Sequence, residues 1–410
     1  MSDEVSPRLH VPAPAIRAGD TPDFSHVTIP RAGEVRRPAP DCGAEEMRDL
    51  AFSIIRVLNR QGEAVGPWAG ALDEDTLRAG LRDMMMLRTY DARMLTAQRQ
   101  GKISFYMQHL GEEAISCAFQ RALRQGDMNF PTYRQAGLLV AAGYPLVKMM
   151  CQVYSNDGDP VRGRQLPVFY SSKEHGFFSI SGNLATQYVQ AVGWAMAAAI
   201  RGERHLAAGW IGDGSTAESD FHGALVFAST YKPPVILNIV NNQWAISTFQ
   251  GIARGGAGTF AARAHGFGLP ALRVDGNDYL AVHAAAQWAA ERARRDLGPT
   301  LIEFVTYRVG GHSTSDDPSA YRPKEEGRAW PLGDPILRLK AHLIARGAWS
   351  DERHAQAEAE IAYQVAAAQK EAEAIGTLHG GRRPSPRDMF EDVFAKMPPH
   401  LLRQRHEMGY

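Results

Sequence analysis

The sequence predicts an α/β protein in which helices flank a doubly wound parallel sheet. Almost wholly apolar strand candidates alternate with helices through the centre of the chain, as expected of strands covered on both faces. Seven prolines in the first 40 of 410 residues predict an extended N-terminal arm, because proline disfavours helix. We therefore expect an arm over residues 1–43, an α/β domain over 44–330 and a helical C-terminal region over 331–410.

Helical spacing of apolar residues predicts several helices in the N-terminal half. A helix over 44–60 is indicated by Met47, Leu50, Ile54, Val57 and Leu58. A longer one over 74–100 begins after Asp73, a favourable N-cap, and shorter ones are expected over 111–124 and 133–142. The arm fits two alternatives, a flexible tail or a segment that lies along a partner subunit.

The centre of the chain predicts parallel βαβ units. The order is helix 186–202, strand 205–211, helix 218–231 and strand 234–240, then strands in LPALRVDG and PTLIEFVTY around a helix near 283–295. This alternation is typical of a parallel sheet. A polar loop follows Arg308, and about three helices complete the chain.

Composition narrows the functional class. Lys+Arg and Asp+Glu are both 45, so no charge excess indicates nucleic acid or an anionic membrane. The longest strongly apolar stretch, Ala191–Ile200, is far short of the roughly 20 residues that a membrane span needs. Cys42, Cys117 and Cys151 form no CxxC pair, which favours a cytoplasmic protein with reduced thiols.

Two strand ends carry the candidate chemistry. Asp213 lies between Gly212 and Gly214 after one strand, and Asn242 follows the next strand, 242 − 213 = 29 positions on. Ligands bind beyond the carboxyl ends of parallel strands. Two oxygen ligands suit Mg²⁺, whose coordination is completed by phosphates and water, so we expect a magnesium-bound diphosphate. A GDG alone also fits a tight β–α turn; the following NN favours the ligand site.

The segment from Gly212 to Asn242, GDGSTAESDFHGALVFASTYKPPVILNIVNN, resembles the thiamine diphosphate motif, which opens with GDG and closes with NN. FPTYRQAGLLVAAGYP, ISGNLATQ and GGHSTSDDPSAYR resemble the α subunits of 2-oxo acid dehydrogenase E1 components. HSTSDDPSAYR is most similar to the branched-chain members. The resemblance extends over roughly residues 45–400 and implies the thiamine diphosphate-binding fold.

By matched position, the resemblance implies that Asp213, Asn242 and the backbone carbonyl of Trp244 coordinate Mg²⁺. The other cofactor contacts it implies are Tyr133, Arg134, Gly182, Leu184, Gly212, Gly214, Ser215 and His312. Two of these residues have an alternative interpretation. Arg134 taken alone could be a charged residue on a helix surface, and Leu184 could be an ordinary core leucine. Guanidinium groups match phosphate oxygens in bidentate fashion.

His312 is the candidate catalytic residue, expected to assist acyl transfer, because a near-neutral pKa suits proton transfer. Its alternative is an exposed loop residue. Ser313 matches a serine that is phosphorylated in some relatives. A K⁺ site is also implied, although a loop that closes without an ion is equally compatible with Ser181, Asn183, Thr186 and Gln187.

The sequence differs from the branched-chain family pattern at two places, and it lacks an evident glutamate that would activate the cofactor. Val240 stands where branched-chain relatives can carry a phosphate-binding arginine, and Gly182-Asn183 replaces a Ser-Pro pattern. Glu112 and Glu113 open a helix, where acidic residues favour the helix dipole; we do not expect either to activate the cofactor. The resemblance places that glutamate on a β subunit, so an α2β2 heterotetramer is expected.

The expected function is oxidative decarboxylation of branched-chain 2-oxo acids with transfer of the acyl group to a lipoyl group on E2. Phe105, Tyr106 and Met107 could line the substrate pocket or belong to the core. A pyruvate or acetoin E1 α subunit is the nearest alternative. Two alternatives from other classes are a nucleotide-binding module and a non-catalytic assembly protein. The first has little support, because the sequence contains neither a GxGxxG motif after a strand nor a GxxxxGK[ST] motif.

Overall fold

The computed structural model describes residues 9–10, 12, 14, 16–70, 72–391 and 393–410; residues 1–8, 11, 13 and 15 of the expected arm lie outside it. The strands are β1 (Ile54–Ile55), β2 (Met128–Phe130), β3 (Ala207–Gly212), β4 (Val235–Asn241), β5 (Trp244–Ala245), β6 (Thr248–Phe249), β7 (Ala271–Asp275), β8 (Thr300–Val305), β9 (Gly376–Thr377) and β10 (Gly380–Gly381). The helices are α1 (Glu74–Arg99), α2 (Glu113–Gln120), α3 (Gly137–Ala141), α4 (Leu146–Tyr154), α5 (Thr186–Ile200), α6 (Ser219–Tyr231), α7 (Gln250–Arg254), α8 (Tyr279–Arg294), α9 (Pro335–Ala345), α10 (Asp351–Ile375) and α11 (Pro399–Glu407).

The expected parallel sheet is confirmed. Six strands form it in the order β1-β7-β8-β4-β3-β2, and every neighbouring pair is parallel. β3 and β4 are adjacent and in register, with Gly212 opposite Val240. The carboxyl ends of these two central strands therefore meet at one point of the sheet edge.

Helices cover both faces of the sheet. Ala208 and Trp210 of β3 enter a core shared with α1, α2 and α8. The alternate residues Ala207 and Ile211 enter a second core with α5 and α6. Successive strand residues point to opposite faces, so a strand buried on both sides must be apolar throughout, as β3 and β4 largely are.

The prediction of a helix over 44–60 is wrong after Ala51. Glu45–Ala51 forms a 3-10 helix, and the chain then extends into β1. The buried carboxylate of Asp278 accepts hydrogen bonds from the backbone N–H groups of Val57 (2.9 Å) and Leu58 (2.6 Å), which holds this segment extended. Ile54, Ile55 and Val57 are β-branched and favour a strand.

The helix expected over 133–142 is shorter in the structure, where only Gly137–Ala141 is helical. Thr132 donates from its backbone N–H and its hydroxyl to the Gln135 side chain, at 2.9 and 2.6 Å. This turn keeps Tyr133 and Arg134 outside α3. The helix expected over 111–124 likewise contracts to α2, and strand β2 was missed, because three residues carry too little periodicity to reveal it.

The other helices and strands expected from the sequence are present, with small differences in their bounds. α1 starts one residue after Asp73, whose carboxylate caps Thr76 N–H at 2.7 Å. The buried residues of α9 and α10 join the core that α1 forms. None of the described helices is both long and apolar enough to cross a membrane.

The described part of the arm has no helix or strand and is broken by hydrogen-bonded turns, such as that from Phe24 to Val27, and it packs against its own chain. Val27 and Val35 are buried, and the indole N–H groups of Trp68 and Trp288 donate to the carbonyls of Arg36 (3.0 Å) and Pro38 (2.9 Å). This intrachain packing corrects the expectation of a flexible tail over these residues.

Candidate active site

A cavity of about 420 Å³ lies at the carboxyl ends of β3 and β4. It brings together all eleven residues that the sequence singled out: Tyr133, Arg134, Gly182, Leu184, Gly212, Asp213, Gly214, Ser215, Asn242, Trp244 and His312. A larger groove of about 950 Å³ lies elsewhere, beside the arm and α9. The smaller cavity is the candidate site, because it holds buried acidic, basic and amide groups at a strand-end junction.

Asp213 lies buried at the end of β3. Its Oδ1 accepts a hydrogen bond from Gly214 N–H at 2.8 Å, whereas its buried Oδ2 has no hydrogen-bond partner among the described residues. Burial raises the pKa of Asp213 to about 7. An uncompensated buried carboxylate oxygen is costly, so this position favours a cation.

The glycine next to Asp213 is required for packing. A Cβ on Gly214 would lie 2.5 Å from the Cβ of Ala245, and neither Gly212 nor Gly214 has a positive φ. Gly214 is therefore required because the Ala245 side chain lies so close, not because of a positive φ. A 3-10 turn, Gly214–Ala217, also separates Asp213 from the start of α6.

Glu112 is a site residue that the sequence interpretation missed. Its Oε1 accepts a hydrogen bond from Asn242 Nδ2 at 2.7 Å and lies 3.5 Å from Arg134 Nε. Its Oε2 is buried without a hydrogen-bond partner among the described residues. Burial raises the pKa of Glu112, and Arg134 opposes this. Glu112 lies at the N-terminus of α2, as expected, but its side chain makes no capping hydrogen bond and contacts Asn242 and Arg134 instead.

The contact with Glu112 orients the Asn242 amide. An ionised carboxylate only accepts hydrogen bonds, so the amide NH2 must face Glu112 and the carbonyl Oδ1 must face away. Oδ1 lies 3.4 Å from Trp244 N. Asn242 thus keeps an amide oxygen with a free lone pair beside the Trp244 backbone. Glu113 has a separate role, since it pairs with Arg88 (2.8 Å) and accepts from Gly111 N–H (3.0 Å).

Two arginines give the site its positive charge. Arg134 is buried, which excludes the helix-surface alternative, and it donates to the carbonyls of Gln108 and His312. Arg308, which the sequence analysis did not assign, is 1% exposed and donates to the carbonyls of Trp244 (2.9 Å) and Ile246 (2.8 Å). A carbonyl oxygen has two lone pairs, so Trp244 keeps one for a metal.

His312 is half-buried, which excludes the fully exposed alternative. Burial, with Arg134 and Arg308 nearby, lowers the pKa of His312 to about 3. The expected near-neutral pKa is therefore wrong for this chain without bound groups. Arg308 Nη1 lies 3.4 Å from Nδ1, and an arginine only donates. Nδ1 is consequently the acceptor, and the proton of the neutral ring belongs on Nε2.

Apolar residues line the other side of the cavity. Leu184 is 48% exposed on this wall, which excludes the plain core alternative. Phe105 and Met107 also line the cavity. Tyr106 does not: it is fully buried, and its hydroxyl donates to Asp91 at 2.7 Å. Of the three residues proposed for a substrate pocket, two are therefore available.

The loop before α5 closes on itself. Thr186 donates to the Asn183 carbonyl at 2.9 Å, and Gln187 Nε2 donates to the Ser181 carbonyl at 3.0 Å. These bonds close the loop but leave the buried Oε1 of Gln187 without a hydrogen-bond partner among the described residues, so both alternatives for this segment stay open. Within the described ranges, no cluster of three or more His, Cys, Asp or Glu side chains could hold a metal, so Asp213 and Asn242 need phosphate and water ligands to complete a site.

Comparisons with known proteins match the chain along its length. A family model described as "Dehydrogenase E1 component" matches residues 81–380, and one described as "2-oxoisovalerate dehydrogenase E1 alpha subunit N terminal" matches residues 5–45. The second match corrects the expectation that the arm lies outside the resemblance.

The relatives point to the same family. The 2-oxoisovalerate dehydrogenase subunit alpha of Pseudomonas aeruginosa is 61% identical over 409 residues, which cover 100% of both chains. The mitochondrial 2-oxoisovalerate dehydrogenase α subunits of Mus musculus and Homo sapiens are each 40% identical over 358 residues, 87% of this chain and 79% of theirs. The chain therefore belongs to the dehydrogenase E1 component family, among the α subunits of 2-oxoisovalerate dehydrogenases.

Proposed function

We propose that this chain is the α subunit of a branched-chain 2-oxo acid dehydrogenase E1 and holds the diphosphate end of thiamine diphosphate. The observation that carries the proposal is a pair of buried carboxylate oxygens, Asp213 Oδ2 and Glu112 Oε2, without hydrogen-bond partners in the described structure. The arginines Arg134 and Arg308 lie beside them. A cation at Asp213 would offset the charge of that carboxylate, and the arginines would offset the charge of a diphosphate bound to the cation.

The residues present fit that group. Asp213, Asn242 Oδ1 and the Trp244 carbonyl would hold Mg²⁺, which prefers a few protein oxygens with phosphate and water. Tyr133, Arg134, Gly212, Gly214 and Ser215 would hold the diphosphate, and Gly182 and Leu184 the ring side. Val240 is buried and apolar, so the phosphate charge would be met by Arg134 and, beneath the cavity, Arg308.

Thiamine diphosphate supplies a nucleophilic carbon and an electron sink for decarboxylation. The chain's own residues position it and supply a hydrogen bond. With Nδ1 of His312 facing Arg308, the Nε2–H group is the one that can donate a hydrogen bond during acyl transfer to the lipoyl group. Because the pKa of His312 is lowered, its neutral form is present at pH 7 and serves as a hydrogen-bond donor.

The family also implies partners. Members named as α subunits of a 2-oxo acid dehydrogenase imply a β subunit and a lipoyl-bearing E2. We place this chain in an α2β2 heterotetramer in the cytoplasm, a location that its free cysteines favour. A K⁺ ion at the Ser181–Gln187 loop is a further part of the proposal, supported by the buried, unpartnered Oε1 of Gln187.

Calorimetric titration tests the function against its alternatives. The full chain with its β subunit is expected to bind thiamine diphosphate only with Mg²⁺ and to bind neither NAD nor ATP. Binding of a nucleotide in its place would favour the nucleotide-binding module. Binding of none of the three would favour a non-catalytic assembly protein.

The Glu112 carboxylate is expected to support cation binding through Asn242. Glu112→Ala removes the acceptor that orients the amide, so the Kd for Mg²⁺ with thiamine diphosphate should rise about tenfold, from the loss of a bond to a charged group worth about 1.5–3 kcal/mol. Glu112→Gln keeps an acceptor and should lose less. Equal affinities of Glu112→Ala and the unchanged chain would contradict the orienting role.

The substrate is expected to be a branched-chain 2-oxo acid, above all 2-oxoisovalerate, in preference to pyruvate. Phe105 and Met107 on the apolar wall can bury the extra methyl groups. Discrimination by such a pocket reaches about 10–200-fold. The measurement is kcat/KM of the reconstituted α–β enzyme for both acids, and a ratio below one would overturn the substrate assignment alone.

A further inference from the structure

The N-terminal arm lies under the turn that carries the proposed cation ligands. Val27 of the arm packs in a small core with Trp244 and Phe249, which flank this turn. The His26 ring meets the Phe249 ring edge-on at 5.0 Å, and the Phe24 ring meets that of Trp330 at 5.2 Å. The arm and the turn therefore share one packed unit.

Gln243 sits between two of those ligands in a left-handed conformation. Its φ is +75°, which non-glycine residues rarely adopt. Its amide Nε2 lies 3.2 Å from the Asn241 carbonyl and 3.3 Å from the Thr306 carbonyl. These acceptors fix Nε2 as the inward atom, so Oε1 faces the arm.

One residue of the arm completes this arrangement. His26 Nε2 lies 3.1 Å from Gln243 Oε1, and since Oε1 only accepts, His26 must donate. Gln243 is buried, so water cannot readily replace this partner. The hydrogen bond joins two segments 217 positions apart.

We infer that His26 and Gln243 form a tether through which the N-terminal arm positions the cation-binding turn. The backbone of Gln243 links Asn242 to Trp244, so rotation about its φ would separate the amide oxygen of one from the carbonyl of the other. Gln243 is thus a positioning residue that acts through these two neighbours. The inference rests on the proposed function, because it concerns the same cation site.

The test measures Mn²⁺ affinity, with thiamine diphosphate present, by electron paramagnetic resonance of the full chain with its β subunit. Gln243→Gly removes the side chain that forms the tether, while glycine adopts the positive φ of this position freely. His26→Leu removes the donor and keeps an apolar side chain. His26→Leu should raise the Kd for Mn²⁺ about fivefold, the net effect of one lost hydrogen bond. Gln243→Gly also loses the hydrogen bonds from Nε2 to Asn241 and Thr306 and should raise the Kd at least as much. The double variant should bind Mn²⁺ no more weakly than Gln243→Gly does.

Two further variants separate the tether from general damage. His26→Gln retains an N–H donor and should bind Mn²⁺ within about twofold of the unchanged chain, a gap smaller than one hydrogen bond. Ser25→Ala, an exposed change in the same arm segment, should have no effect. Thermal unfolding without ligand is recorded for every variant.

The outcomes distinguish this inference from the proposed function. If the unchanged chain binds no Mn²⁺ with thiamine diphosphate, the proposed function is wrong. If the unchanged chain binds Mn²⁺ and both His26→Leu and Gln243→Gly bind it with the same Kd, the tether is wrong. This holds even if those two variants unfold at a lower temperature than the unchanged chain. Additive losses in the double variant would also overturn it, because the two residues would then act independently.

Discussion

Replacing Asp213 or Asn242 with alanine is expected to remove Mg²⁺-dependent binding of thiamine diphosphate while the fold remains. Asp213 brings an unpartnered buried oxygen to the cavity, and Asn242 brings an amide oxygen that Glu112 orients. Loss of a charge-assisted ligand costs at least about 1.5–3 kcal/mol, or tenfold and more in affinity. The measurement is calorimetric titration of each variant with thiamine diphosphate at fixed Mg²⁺.

Glu218→Ala is the matched control, because Glu218 is an exposed carboxylate five positions after Asp213 that makes no capping hydrogen bond. It should bind as the unchanged chain does. Circular dichroism of all variants checks the fold. Unchanged activity and affinity in Asp213→Ala or Asn242→Ala would refute the metal assignment.

The pH dependence of the same titration is a second readout of Asp213. Burial raises the pKa of Asp213 to about 7, so its charged form destabilises the fold. This loss of folding free energy is absent below about pH 4, grows as the pH rises, and is complete above about pH 7. A cation offsets it, whereas a proton competes with the cation. The Mg²⁺ affinity of the unchanged chain should therefore rise from pH 6 to pH 8, and Glu218→Ala should show the same rise. An affinity that does not change with pH over this range would contradict the assignment.

The chain without its β subunit is expected to have no decarboxylase activity. Among the described residues that line the cavity, the carboxylates are Glu112 and Asp213. Glu112 is engaged with Asn242 and Arg134, at the cation end, so neither is placed to activate the cofactor ring. The exposed Leu184 and Ile246 mark an open side of the cavity that a second chain would close.

Titration of the β subunit into the α chain, with Mg²⁺, thiamine diphosphate and 2-oxoisovalerate, measures this dependence. Activity should appear with added β subunit and saturate at equal amounts of the two chains. The β subunit alone is the control. Full decarboxylase activity from the purified α chain would contradict the expectation.

The sequence by itself determined the sheet and the two strand ends of the site. Strands β3 and β4 are largely apolar, and a crossover helix of the right length separates them. Parallel strands joined in this way place their carboxyl ends side by side, so Asp213 and Asn242 had to be near each other. Motifs of consecutive residues then identified the loops that carry Tyr133, Arg134 and His312.

Only the tertiary structure decided what each side chain contacts. Glu112 resembles any acidic residue at a helix start until Asn242, 130 positions away, meets it. Arg308 acquires its partners Trp244 and Ile246 in the same way, and Ile54–Ile55 becomes a strand because Asp278 holds the following backbone extended. Burial, which shifts the pKa of Asp213 and of His312 in opposite directions, depends on all the packed segments together. Local patterns report periodicity and propensity, whereas these contacts and their desolvation arise only when distant segments pack.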